Sequence, residues 1–193
     1  MASSRTATMP ADILLDTGRL FVDRGTVPAA ALVGATRGGG FRHREGATLR
    51  GVEYDGMRAA RQGLQRIVGW NGAQMTGTIL QANAANTAML SVGATVATAT
   101  VDGAPTTTVS PKDAGVMLVL ADYETNVRLT FDRGNGGTWS VVYPLAYVSE
   151  WSQETADINE VGFACTIVPV QTAEQSDDEA PFYYEITGPD ITV

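Results

Sequence analysis

The chain is short of the residues from which most protein chemistry is built. Cys165 is its single cysteine and His43 its single histidine, so no intrachain disulfide can form and most His/Cys metal sites are excluded. Cys165 stands in the apolar run Phe163-Ala164-Cys165-Thr166-Ile167-Val168, where a small buried thiol is expected rather than a reactive one. Long hydrophobic runs are missing too. The longest, Ala114 to Ala121, falls far short of the roughly 20 residues that span a bilayer. Met1 to Pro10 lacks the apolar centre of a signal peptide. These absences predict a soluble protein made in a reducing cytoplasm, with no membrane insertion. At 193 residues the chain is long enough for one domain, or one domain plus arms, with a core of its own.

Basic residues are absent from the last third. From Gly134 to Val193 there are ten acids and no Lys or Arg, whereas Met1 to Arg66 carries ten arginines against six acids. The net charge of −8 therefore hides a basic N-terminal part and a strongly acidic C-terminal part. Two arrangements satisfy this asymmetry. Either unlike surfaces of neighbouring copies meet head to tail, or the two parts pair within one subunit. Lys112 is the one lysine. Arginine suits bidentate pairing with carboxylates at interfaces, although genomic base composition produces the same bias.

What the chain does have is the pattern of strands. Val127, Leu129 and Phe131 alternate with Arg128, Thr130 and Asp132, the period of a half-buried strand. The glycine-rich turn Asp132 to Gly137 and the aromatic, β-branched run Trp139 to Tyr147 complete a hairpin. Asp102-Gly103 between Ala97–Val101 and Thr106–Val109 predicts a second one. Further strands are expected at 18–23, 29–36, 64–70, 74–81, 115–121 and 159–170. One short helix is expected around Ala84 to Ser91, with Asn86 and Thr87 as weak capping residues; residues 57–63 could add a single turn. Residues 1–11 read as a flexible arm, 12–170 as one all-β sandwich or barrel domain, and 171–193 as an acidic C-terminal arm. Inside the domain, 37–63 reads as a long, charged, glycine-rich loop, and a loop of that length in a compact domain usually has a function.

Catalytic constellations are not found. There is no Gly-x-Ser-x-Gly, and the one base candidate, His43, is flanked by Arg42 and Arg44, which predicts a solvated loop histidine of depressed pKa. Gly34 to Gly40 is glycine-rich but lacks the Gly-Lys-Ser/Thr of a phosphate loop. Asp177-Asp178-Glu179 lacks the alternating ligand spacing of a calcium loop. Glu53 and Asp55 would share a strand face, a spacing common by chance. The arginines from Arg37 to Arg66 lack stacking aromatics beyond Phe41 and Tyr54, and tight nucleic-acid binding is not favoured. The expectation is a non-enzyme without cofactor or metal.

The order of several motifs resembles siphophage tail tube (major tail) proteins. Leu32-Val33-Gly34-Ala35-Thr36-Arg37-Gly38-Gly39 is followed by a charged stretch and by Val52-Glu53-Tyr54-Asp55-Gly56-Met57-Arg58. Tyr123 to Leu129, Tyr143 to Ala146 and Val161 to Cys165 are similar to the family's later strands, and Glu179-Ala180-Pro181-Phe182 echoes its acidic, Pro-aromatic ending. No single motif is diagnostic, and the likeness spans roughly residues 12–187.

The resemblance implies a tail-tube fold in which rings of six subunits form a continuous inter-subunit β-barrel, stacked head to tail into the conduit for DNA during ejection. It implies the virion tail, assembled in the bacterial host cytoplasm, with the tape measure, tail terminator and tip or baseplate proteins as partners. Loop 37–63 falls at the stacking contact, so Arg42, Arg44, Arg50 and Arg58 are expected to meet Asp177, Asp178 and Glu179 of the next ring. Double-stranded DNA should transit without specific binding, which an acidic or neutral wall favours. Glu150, Glu154, Asp157 and Glu160 are the acids expected to face that lumen. The competing readings are a tube subunit of a contractile tail or injection system, a monomeric carbohydrate-binding sandwich using Trp70, Trp139 or Trp151, and a β-barrel enzyme.

Overall fold

The structure is a computed structural model that describes residues 18–23, 31–32, 40–51, 65–134, 136–156, 160–176 and 179–188. In chain order the strands are β1 (Arg19–Asp23), β2 (Ala31–Leu32), β3 (Arg42–Arg44), β4 (Thr48–Gly51), β5 (Gln65–Gly69) and β6 (Gln74–Ile79). Helix α1 (Ala84–Leu90) follows, then β7 (Thr95–Val101), β8 (Ala104–Ser110), β9 (Glu124–Asp132), β10 (Thr138–Ala156), β11 (Glu160–Pro169) and β12 (Tyr183–Ile186). The protein is mostly β-strand, with one short helix among the described residues, and its main sheet curls into a half-barrel. The predicted strands at 18–23, 64–70, 74–81 and 159–170 and both hairpins are present.

Eight strands make the main sheet, in the order β2-β1-β9-β10-β11-β6-β3, with β12 also paired to β10. The 19-residue β10 organises it. Its first half pairs with β9 on one edge and with β12 on the other, and from Ala146 onward it pairs with β11. Through Ser140–Tyr143 it is buried on both faces, which suits the apolar and aromatic run that begins at Val141.

One core lies against the sheet. Leu20, Val22, Met75, Ile79, Val127, Leu129, Val141, Tyr143, Val148 and Ile167 come from five strands, and α1 adds Met89 and Leu90. Cys165 joins them as a buried thiol, and desolvation pushes its pKa up to about 12. Where the core needs a ring, the neighbouring strand leaves room: a Cβ on Gly77 would sit 2.7 Å from the buried Phe41 ring. Asp102 and Gly103 turn the β7–β8 hairpin with φ of +51° and +79°, the left-handed pair that a tight hairpin demands.

Four expectations are corrected. The apolar stretch 115–121 is not a strand: Gly115 turns with φ +82°, and Leu120–Asp122 closes as a 3-10 turn. Within 37–63, residues 42–44 and 48–51 are strands, since β3 pairs with β6 and β4 with β5. The helix is capped by Asn83, whose side chain accepts from the Asn86 N–H at 2.8 Å; Asn86 is buried and donates to the Gln81 carbonyl. Finally, 171–193 is no arm as a whole. Tyr183–Ile186 is hydrogen-bonded to β10, and Phe182 is buried in the core. Residues 1–11, 57–63, Glu53 and Asp55 lie outside the described residues.

Candidate assembly surface

Strand alternation divides the sheet into an apolar face and a polar one. Register settles which residues share the polar face. Arg42 stands opposite Thr76, Thr76 opposite Thr166, and Thr166 opposite Glu150, a row running from β3 through β6 and β11 to β10. The next row is Thr78, Ala164 and Ser152. Between these rows the face is dished into a depression of about 340 Å³. Thr76, Thr78, Ser152, Ala164 and Thr166 line it together with Trp151, Cys165 and one carboxylate, Glu150, which accepts a hydrogen bond from the Thr166 hydroxyl at 3.2 Å. Short β-branched side chains leave such a face smooth, and their hydroxyls leave it wettable.

Among the described residues the sheet ends at β2 on one side and β3 on the other. A third free stretch is internal. β9 begins at Glu124, opposite Ala146, so no described strand lies beside the same edge of β10 further along. The first residues of that stretch pack near α1 and the 3-10 turn; beyond them the edge carries Trp151, 42% exposed and tilted against Phe163. Bare backbone edges are templates for pairing with another chain.

The predicted site residues scatter over this geometry. Arg42 and Arg44 are exposed on β3, on the same face as Glu150, and Arg50 is exposed on β4. Glu179 is exposed, and its carbonyl accepts from the Gln171 amide at 3.0 Å. Arg58, Asp177, Asp178 and Asp157 lie outside the described residues. Glu154 and Glu160 are described only as strand positions, opposite Gly162 and Ala156. Among the described residues the structure thus brings Arg42, expected at the stacking contact, and Glu150, expected at the lumen, onto one row.

His43 overturns its expectation. It is a half-buried residue on the apolar face of β3, not a solvated loop side chain. Its Nδ1 lies 2.9 Å from the Tyr143 hydroxyl and its Nε2 3.3 Å from that of Tyr184. Phe182 packs edge-on at 5.2 Å. Desolvation holds its pKa below the ordinary 6.5, and nearby Glu45 pulls the other way. Arg42 and Arg44 point to the opposite face, so burial rather than their field is the cause. His43 fastens β3 to β10 and β12, and Tyr143, whose own pKa burial raises, gains its hydroxyl's partner.

Two apolar surfaces were missed. Val116 to Leu120 are five consecutive exposed residues, with Met117 85% and Leu120 70% exposed. Leu49 and Ile67, paired across the β4–β5 ribbon, are exposed together with Val68. Hydrophobicity marked the first stretch as a run, but not as a surface.

Among the described residues no three His, Cys, Asp or Glu side chains gather as a metal site, and no helix is long and apolar enough to cross a membrane. No protein-family model, no curated protein and no solved structure matches this chain.

Proposed function

We propose that this chain is a structural subunit that polymerises with copies of itself into the tube of a phage tail, the conduit through which DNA leaves the particle. The observation that carries the reading is a curled sheet whose outermost strands have no further strand partner among the described residues, together with its hydroxyl-rich polar face. A half-barrel leaves backbone donors and acceptors unused at its rims, and a ring of copies uses them without any subunit closing a barrel alone. The resemblance of the sequence to siphophage tail tube proteins supplies the rest: rings of six, stacked head to tail, within a noncontractile tail.

In this reading the hydroxyl-lined face forms the bore. Phosphates slide past neutral hydroxyls and acids, whereas free arginines would hold them. Arg42 and Arg44 stand at the β3 end of that face, so a bore that does not grip DNA requires carboxylates beside them across the subunit junction. Glu150, at the opposite end of the Arg42 row, is the described candidate.

Negative-stain electron microscopy of concentrated protein, with and without tail tips as seeds, tests the proposal. Rings or tubes with a central hole are expected. A monodisperse monomer under every condition would overturn it, and a monomer that binds polysaccharide through Trp151 would replace it with the carbohydrate-binding reading.

A further inference from the structure

The curl of the sheet brings its last strand back against its longest one. In the order β10-β11-β6-β3, two strands separate β3 from β10. The row that starts at His43 passes Met75 and Ile167 and reaches β10 at Val148 rather than at Tyr143. A flat sheet would hold two such strands about 14 Å apart, yet the His43 ring meets the Tyr143 hydroxyl. No ladder joins β3 to β12 among the described residues. Side chains close the seam between them: His43 against Tyr143 at 2.9 Å, against Tyr184 at 3.3 Å and against Phe182, with Trp70 packed edge-on on Phe182 alongside.

Burial fixes the polarity of the two hydrogen bonds. Tyr143 is fully buried, and the His43 Nδ1 is the partner that the described residues give its hydroxyl. The arrangement that satisfies this O–H has it donating to a bare Nδ1. The ring hydrogen then sits on Nε2 and is donated to Tyr184, whose exposed side chain turns its own hydroxyl hydrogen to water. Protonation puts a hydrogen on Nδ1 as well. Tyr143 then faces a second donor, its own hydrogen has lost its acceptor, and a charge is enclosed among aromatic rings; each is costly in a buried place.

The surroundings do little to offset that cost. Desolvation lowers the His43 pKa, and Glu45, exposed just past β3, is the charged group that opposes it. Tyr143 and Tyr184, the titratable groups facing the ring from β10 and β12, both have their pKa raised by desolvation and stay neutral. β6 presents apolar Met75. Tyr183 and Glu185 alternate to the other face of β12, where Arg128 pairs with Glu185, and Arg42 and Arg44 point to the opposite face of β3. The flanking strands are also the weakly held ones: β3 has three residues paired to β6, and β12 has four paired to β10.

We propose that His43 is a proton-operated clasp between β3 and β12, so that its protonation opens this seam and frees Tyr183–Ile186 while the β9–β10 ladder stays formed. The inference goes beyond the tube reading and does not depend on it.

Hydrogen exchange on the wild type tests it, at one low protein concentration, at pH 7.5 and 5.5, corrected for the intrinsic rate at each pH. His43 is the only histidine, and no other side chain of ordinary pKa changes charge in that interval. A histidine that titrates near 6.5 when released shifts an opening equilibrium by at most about tenfold over it. Protection of the amides of Tyr183–Ile186 and Arg42–Arg44 should therefore fall about three- to tenfold at pH 5.5, with that of Val127–Phe131 unchanged. Equal protection at both pH values would overturn the proposal, as would a loss spread evenly over the sheet. In His43→Gln, whose amide donates and accepts without titrating, the difference between the two pH values should vanish, and its persistence would refute the clasp.

A second measurement needs no variant. Imidazole nitrogen shifts of the wild type at pH 7.5 should place the hydrogen on Nε2, and a hydrogen resident on Nδ1 would sink the arrangement on which the clasp depends. Tubes formed by a protein with no acid response would leave the tube reading standing and remove the clasp. An acid response in a chain that never assembles would do the reverse.

Discussion

Replacing Phe182 with alanine should cost about 3–5 kcal/mol, the usual loss when a buried phenylalanine is truncated and the cavity only partly collapses. The structure puts the side chain at the upper part of that range. Phe182 is 6% exposed, and its ring centroid lies 5.3 Å from that of Trp70, 5.2 Å from His43, 5.7 Å from Tyr184 and 6.1 Å from Tyr143. These neighbours belong to β3, β10, β12 and the β5–β6 turn, so the ring ties the C-terminal segment to the sheet at several points. For a chain of this length each kcal/mol corresponds to about 2–4 °C, so the melting temperature should fall by about 6–20 °C. Urea denaturation followed by tryptophan fluorescence, at one low protein concentration so that association does not contribute, measures the same loss as a shift in midpoint at constant slope. A loss below about 1 kcal/mol, the range of surface substitutions, would refute the reasoning. It would mean that residues 179–188 behave in solution as the loosely held arm their composition suggests.

His43 is the only histidine, so its ring resonances titrate without overlap in an NMR experiment; a midpoint below 6.5 is expected, since burial disfavours the imidazolium. Because the folded-state value is the lower one, neutral His43 contributes stability fully above about pH 6.5, and that contribution is lost as pH falls through this value toward the folded midpoint; a midpoint at or above 6.5 would contradict it. Cys165, with its pKa near 12, should resist thiol reagents at pH 8 in the native protein and react only on unfolding, and rapid stoichiometric labelling would show the thiol to be accessible. Gly77→Ala sets a methyl against the Phe41 ring and should cost about 1–3 kcal/mol, as overpacking does, whereas an unchanged melting temperature would mean that Phe41 does not pack over β6.

The strands that alternate strongly were legible as sequence. Val127, Leu129 and Phe131 against Arg128 and Thr130 specify one buried face whatever lies opposite, and Asp102-Gly103 specifies a tight hairpin because few other pairs reach positive φ at both positions. The candidate site was legible only in pieces. Arg42 and Glu150 are 108 positions apart along the chain, and nothing local says that they share a row. The sequence of the short strand Arg42–Arg44 predicts a loop because charged residues have no strand preference of their own; it is a strand because it pairs along the β6 edge. Hydrophobicity predicts a strand at 115–121, because hydrophobicity and burial usually coincide. Here they part, since the Lys112–Asp122 ion pair and the turn at Gly115 present the run outward.

From the sequence alone follow the strand class, the helix near Ala84 to Ser91, the impossibility of an intrachain disulfide and the division between a basic and an acidic part, since each depends on residue identity and near neighbours. Tertiary structure alone decided that His43 is held between two tyrosines, that Phe182 closes the core, that threonines of β6 and β11 floor one polar face, and that the most apolar run of the chain is uncovered. Those facts depend on register and on which edges meet. A one-residue slip in pairing reverses every side chain's face, and the information that fixes the register is spread over the whole sheet.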